Sequence, residues 1–152
     1  MRDLHQPGRS AAIAENGMAA TSHPDATLTA VDVLRDGGNA VDAAIAAVAV
    51  LGVVESAMTG VGGDCFVLYS PKRGVPLALN GSGRAPGKAT VEWFQDKGIS
   101  KIDPDTAHAV TIPGAVDAWC RLLEDYGTKG MDELLQPAID KAEHGYRIMD
   151  RI

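Results

Sequence analysis

The sequence predicts an α+β fold, and three observations carry that expectation. Residues 43–54 form an apolar run, too short for a membrane span of about 20 residues, which marks a buried helix. Glycine turns set off short runs of strand-forming residues, as in Gly60-Val61-Gly62-Gly63 ahead of Cys65-Phe66-Val67-Leu68-Tyr69. Two amphipathic segments, 115–126 and 131–143, then follow with apolar residues at helical spacing.

Taken in order, residues 10–22 hold two apolar pieces, 11–14 and 18–21, around Asn16-Gly17. That dipeptide tolerates positive φ and predicts a strand, a turn and a strand. Residues 23–34 place Leu28, Val31 and Leu34 at helical spacing behind Pro24, with Ser22 as the N-cap and Gly37-Gly38 as the stop. Asn39 caps the next helix, 40–53, where alanine, valine and isoleucine occupy every face except near Asp42. A helix apolar all round needs cover all round, so this one is expected at the centre of the packing. Strands at 64–70 and 75–79 flank a turn at 71–74 and predict a hairpin. Next comes a polar loop, Asn80-Gly81-Ser82-Gly83-Arg84-Ala85-Pro86, and a short helix at 90–97 with Trp93 and Phe94. A brief strand at 108–112, ended by Pro113-Gly114, leads to the last two helices. Pro137 is expected to kink the second of them or begin a new segment. A single partial domain over 1–152 is expected, with 1–9 flexible.

Composition narrows the function. The 152 residues carry 14 basic and 20 acidic side chains, a net charge of −6. Nucleic acid is therefore not expected as a partner, because phosphate binding needs clustered Lys and Arg. Aromatics, at 5%, supply no stacking platform for bases or sugars. Cys65 and Cys120, without a CxxC, suggest neither a disulfide framework nor a zinc site and fit a reducing compartment. Residues 1–10 lack the apolar stretch of a secretory signal, so a cytoplasmic location without membrane attachment is expected.

Several motifs invite chemistry. Gly60-Val61-Gly62-Gly63 has neither phosphate-loop spacing nor a lysine, and a strand follows it instead of a helix. It reads as a tight turn or as a turn bordering a ligand cleft. His5, His23, His108 and His144 are scattered without metal-ligand spacing, so no metal or cofactor is expected. Ser82 lies in Gly-Ser-Gly, but Asn80 stands where a nucleophile elbow requires glycine. Cys65, in an apolar strand, reads as a small hydrophobe. Arg84, beside glycines, suits a two-point grip on a carboxylate, or else a solvated or ion-paired loop position. These residues form no complete catalytic set.

A series of short pieces adds a resemblance. They are Gly17-Met18-Ala19-Ala20-Thr21-Ser22-His23-Pro24, Gly37-Gly38-Asn39-Ala40-Val41-Asp42-Ala43-Ala44, Gly52-Val53-Val54-Glu55, Thr59-Gly60-Val61-Gly62-Gly63, Arg84-Ala85-Pro86, Ile112-Pro113-Gly114-Ala115-Val116 and Leu135-Gln136-Pro137-Ala138-Ile139. In this order they resemble the N-terminal part of the large subunit in the gamma-glutamyltransferase (gamma-glutamyltranspeptidase) family. The resemblance implies an N-terminal-nucleophile hydrolase, an αββα sandwich of two sheets between helix layers, present here only as the front of the large subunit. It implies a proenzyme, or zymogen, that cuts itself into two subunits, the small subunit being this chain's partner. The implied activity is hydrolysis or transfer of a gamma-glutamyl or related carboxylate-bearing acyl group from a small amide, through an acyl-enzyme, as in glutathione metabolism.

In that family the nucleophile is a threonine exposed at the small subunit's new N-terminus. Threonines 21, 27, 29, 59, 90, 106, 111 and 128 all lie outside the family's threonine-threonine-histidine context. The resemblance therefore implies no catalytic residue in this chain, the nucleophile lying beyond Ile152, and leaves substrate binding to Asn80, Ser82 and Arg84. Aligned on Ala85-Pro86, Ser82 occupies the position of the arginine that holds the glutamyl carboxylate, and Gly83 that of the neighbouring glutamate. Arg84 then supplies the clamp from a shifted position. This loop, together with Gly63-Asp64-Cys65-Phe66, looks like the family's cytoplasmic branch, which includes oxamate-type amidohydrolases and acylase-like enzymes. A noncatalytic binding or packing module is the alternative.

Overall fold

Capping residues, apolar spacing and turn glycines place most of the regular structure where the sequence puts it. The computed structural model describes residues 11–149, and the expected flexibility of 1–9 falls outside them. Its elements are α1 (Pro24–Arg35), α2 (Ala40–Val54), β1 (Cys65–Tyr69), β2 (Leu77–Gly81), α3 (Val91–Asp96), α4 (Ala115–Tyr126) and α5 (Met131–His144). The mixture of helix and strand agrees with the α+β expectation.

Helix α2 is the centre of the packing. Val41, Ala43, Ile45, Ala46, Ala47, Ala49, Val50 and Val54 are buried against α1, α5 and α4, which supply Ala26, Ala30, Leu134, Ala138, Trp119 and Leu122 to the same core. Alanine lets these helix axes approach closely, at the cost of little side-chain area per contact. One face stays uncovered among the described residues: Ala44 is exposed, and Val48 and Leu51 are only half-buried. The all-round cover expected from the sequence is thus incomplete here.

The N-terminus of α2 is built as the sequence suggests. The Asn39 amide oxygen accepts from the Val41 and Asp42 backbone amides at 2.8 and 3.1 Å, and the Asp42 carboxylate accepts from the Asn39 amide at 2.8 Å, a reciprocal capping box. The cap also reaches across the chain. The other Asp42 oxygen accepts from the Thr128 amide at 2.9 Å and the Lys129 amide at 3.3 Å, while the Thr128 hydroxyl donates to the carboxylate at 2.5 Å. The Asn39 side chain donates to the Tyr126 carbonyl at 2.6 Å. Both polar groups therefore pin the α4–α5 turn to the start of α2.

Beside the helices lies an antiparallel hairpin with Val67 opposite Leu79. Strand β2 starts after Pro76, which has no N–H to give to a ladder, so it is shifted two residues from the expected 75–79. Tyr69 packs against Tyr126 with ring centroids 5.0 Å apart and the rings tilted by 49°, holding the hairpin to the end of α4.

Four expectations need correction. Residues 11–21 form no strands: Asn16-Gly17 lies at a bend, and Ile13 is 94% exposed. Their alanines fit a pleated surface poorly and find no neighbouring strand. The cap of α1 is His23, whose Nδ1 accepts from the Asp25 amide at 3.1 Å; Ser22 instead donates to the Glu55 carboxylate at 2.5 Å. The strand expected at 108–112 is replaced by a 3₁₀ turn, Ala107–Ala109. There the His108 ring packs edge-on to both Trp93 and Phe94 at 5.6 Å, and of the backbone amides in 108–112 it is that of Ile112 that pairs with a distant segment, donating to the Arg84 carbonyl at 3.0 Å. Finally, α5 runs through Pro137 as one helix, so no new segment begins there, and it is held by Leu134 and Ala138 in the core and by the Lys141–Asp25 ion pair at 2.8 Å.

Asp42 is 0% exposed. Burial pushes its carboxyl upward, but the Thr128 hydroxyl and the amides of Asn39, Thr128 and Lys129 outweigh this and hold it below its ordinary value. Replacing it with alanine strands several donors, and Asp42→Ala should lower stability by about 3 kcal/mol in denaturant titrations. A carboxyl whose folded value is lowered stabilises fully above its unfolded value of about 4 and progressively less as pH falls through the folded value. The stability difference between the native chain and Asp42→Asn should therefore narrow below about pH 4; a difference independent of pH would show that the charge contributes nothing.

Candidate functional site

The alternation of β2 continues into the loop that follows it. Asn80, Ser82 and Arg84 are exposed, while Gly81 and Gly83 between them are half-buried. The three sequence-predicted binding residues therefore stand on one outer face, as period-two backbone requires. Asn80 and Ser82 are joined directly: the Asn80 amide oxygen accepts from the Ser82 amide at 3.0 Å and from its hydroxyl at 2.6 Å. That contact commits the Ser82 proton to an amide oxygen, which no nucleophile activation requires. Arg84 joins neither residue. Among the described residues its guanidinium enters no ion pair, so the reading of Arg84 as an ion-paired structural residue finds no partner there.

Two other segments position this loop. Gly63, the last residue of the glycine turn, uses its carbonyl to accept from the Gly114 and Ala115 amides at 3.1 and 3.0 Å. Those amides open α4 and would otherwise lack partners. Asp64 Oδ1 accepts from the Gly83 amide at 2.7 Å and from the Thr111 hydroxyl at 3.3 Å. The Arg84 carbonyl accepts from Ile112, completing a crossing of residues 63–64, 81–84 and 111–115.

The crossing is too close for side chains. A β-carbon on Gly83 would fall 1.5 Å from the Ile112 carbonyl oxygen, and one on Gly114 would fall 2.4 Å from the Gly81 carbonyl oxygen. These glycines serve approach of backbone to backbone. The turn at 60–63 links α2 to β1, as the tight-turn reading expects, and it borders the loop.

Asp64, Thr111 and Gly114 were not singled out from the sequence as parts of this site. The only signal was their presence in or beside pieces that carried the resemblance. Other candidates stay apart. Burial raises the Cys65 thiol, and the Trp119 side chain lowers it in smaller part, which agrees with an inert, packed thiol. His23 caps α1, His108 packs on aromatic rings, and His144 Nδ1 lies 3.0 Å from the Asp140 carbonyl. No cluster of three metal-ligating side chains occurs among the described residues, and no helix there is long and apolar enough to cross a membrane. Chemically, the loop offers a permanently charged guanidinium with no ion-pair partner among the described residues, on a firmly held backbone and suited to a carboxylate.

Known proteins resemble this chain in sequence and in fold. The chain is 37% identical over 141 residues to the glutathione hydrolase proenzyme of Bacillus subtilis, covering 90% of this chain and 24% of that protein. It is also 37% identical over 139 residues to the acylase ACY 1 proenzyme of a Pseudomonas strain, covering 86% of this chain and 25% of that protein. The crystal structure of Helicobacter pylori gamma-glutamyltranspeptidase superposes with a TM-score of 0.85 at 37% identity, over 93% of this chain and 42% of the other. The chain thus spans about a quarter of the length of the curated relatives it matches. Residues 26–152 match the family described as gamma-glutamyltranspeptidase, and the chain belongs to that family.

Proposed function

We propose that this chain is the front part of the large subunit of an N-terminal-nucleophile amide hydrolase or transferase, and that its 80–84 loop forms one wall of the acyl pocket. The observation that carries the reading is the convergence of three family-like segments, 59–63, 84–86 and 112–116, on one crossing that presents Arg84 without an ion-pair partner among the described residues. In this reading Arg84 grips the carboxylate of a gamma-glutamyl or related small amide by charge-assisted hydrogen bonds, and Ser82 and Asn80 offer neutral polar contacts beside it. The partner is the small subunit of the same proenzyme. Its leading threonine attacks the amide carbon while its own α-amino group takes the hydroxyl proton; the C–N bond breaks and that proton leaves with the departing amine, and water or an amine then takes the acyl group from the threonine ester and restores the hydroxyl.

The open side of the fold supports the full αββα sandwich. Phe66 and Leu68 on the outer face of β1 are 70% and 88% exposed, and the described sheet has only two strands. Further strands and a second layer of the same protein would cover them. A second reading, an oxamate- or acylase-type amidohydrolase of the same family, is favoured by Ser82 and Gly83 at the positions of the family's arginine and glutamate, and by the likeness to the acylase.

The test is to express the complete precursor and compare glutathione, a chromogenic gamma-glutamyl amide and oxamate. Turnover of the first two supports the transferase reading, and turnover of oxamate alone supports the second. No turnover of any amide, with a mature and folded product, leaves the noncatalytic module. In the active enzyme Arg84→Ala should raise KM for the carboxylate-bearing substrate by about tenfold or more, the loss of a charged hydrogen bond worth about 1.5 to 3 kcal/mol. An unchanged KM would remove Arg84 from substrate binding.

A further inference from the structure

We propose that Asp64 is a positioning residue for substrate binding: it sets the direction of the Arg84 side chain by holding the backbone on that side chain's N-terminal flank. The inference rests on the reading of the 80–84 loop as a carboxylate-binding wall. Arg84 is bracketed by two hydrogen bonds, Gly83 N–H to Asp64 Oδ1 at 2.7 Å before it and Ile112 N–H to the Arg84 carbonyl at 3.0 Å after it. Gly83 has no side chain, and the Ile112 carbonyl leaves room for none. The Asp64 bond is therefore the hold on that side of Arg84 that involves a charge, and charge-assisted bonds are the shorter and stronger kind. The same oxygen also accepts from Thr111, the neighbour of Ile112, so one carboxylate fixes both sides of the crossing.

Exposure separates this role from a purely structural one. Asp64 is exposed among the described residues, and its hydrogen bonds go to the loop backbone at Gly83 and to the Thr111 hydroxyl, not to the helical core. Their effect falls on geometry, because a small displacement of a two-point clamp weakens both of its hydrogen bonds together. Removal should thus move substrate affinity while leaving the fold in place.

The experiment uses the complete mature enzyme and whichever of glutathione, the chromogenic gamma-glutamyl amide and oxamate it turns over fastest, together with the counterpart in which the carboxylate is a carboxamide. Asp64→Ala should raise KM for the carboxylate substrate about tenfold with kcat changed less than about twofold. Asp64→Asn, which keeps an acceptor oxygen facing Gly83, should restore most of that loss. Neither variant should alter KM for the carboxamide. In the Arg84→Ala background Asp64→Ala should add no further loss, since both act on one contact.

Independent, additive effects of the two substitutions, or an equal rise in KM for the carboxamide, would overturn the inference. So would an unchanged KM in Asp64→Ala beside a raised KM in Arg84→Ala, which leaves the carboxylate-binding reading intact. An unchanged KM in Arg84→Ala removes that reading and the inference with it. Should Asp64→Ala fail to mature, Asp64→Asn decides: a KM raised about threefold for the carboxylate alone supports the role, and a KM equal to that of the native enzyme for both substrates overturns it.

Discussion

Taking a carboxylate out of water costs several kcal/mol unless the protein returns the lost hydrogen bonds. Asp42 recovers them from four donors at 2.5 to 3.3 Å. One of these belongs to its own helix cap, and three belong to Thr128 and Lys129 at the far end of α4. The short apolar side chains of α2 pack well but bury little area apiece, so they specify direction weakly. The buried charge supplies what they lack, a single arrangement in which every donor is matched. It fixes the α4–α5 turn relative to α2, and with it the line of α4. Gly114 and Ala115 open that helix, and their amides meet the Gly63 carbonyl. The position of the candidate site is thus tied through α4 to a carboxylate at its opposite end.

The uncovered face of α2 has a matching logic. Ala44, Val48 and Leu51 lie at helical spacing between residues 18–21 and the hairpin. The hairpin turns Phe66 and Leu68 outward. Both surfaces are apolar, and neither belongs at a water boundary by its composition. The proposed layered architecture would cover both, with small residues where a neighbouring layer comes close and larger ones where a sheet face is covered.

Local signals were legible in the sequence, and long-range ones were not. Asn39, the bounds of α4 and the hairpin follow from residue type and spacing alone. The role of Asp42 beyond its own cap does not, because Thr128 lies 86 positions away and nothing in either neighbourhood announces the pairing. The same holds for Asp64, whose partners Gly83 and Thr111 are 19 and 47 positions distant. Errors arose where a local pattern had no tertiary support. Asn16-Gly17 is a good turn without strands to join, and residues 108–112 have strand composition without a ladder. Pro137 shows the reverse, a helix breaker overruled by packing on both sides. At the site, Asn80, Ser82 and Arg84 could be named from loop composition and resemblance, whereas the groups that hold them could not.

The crossing of the three backbones also limits how such a site can diversify. Gly81, Gly83 and Gly114 leave no space for a β-carbon, so substitution there disturbs the backbone before it changes chemistry. Ser82 and Arg84 face outward and touch no core residue, so their side chains can be exchanged with little effect on folding. A rigid glycine frame with free outward positions separates the requirements of stability from those of recognition. Moving the guanidinium from one outward position to the next, from residue 82 to residue 84, shifts its backbone origin by about 6 to 7 Å along extended chain. In the proposed carboxylate-binding role, such a shift would favour acyl groups of a different length while the frame beneath stays the same.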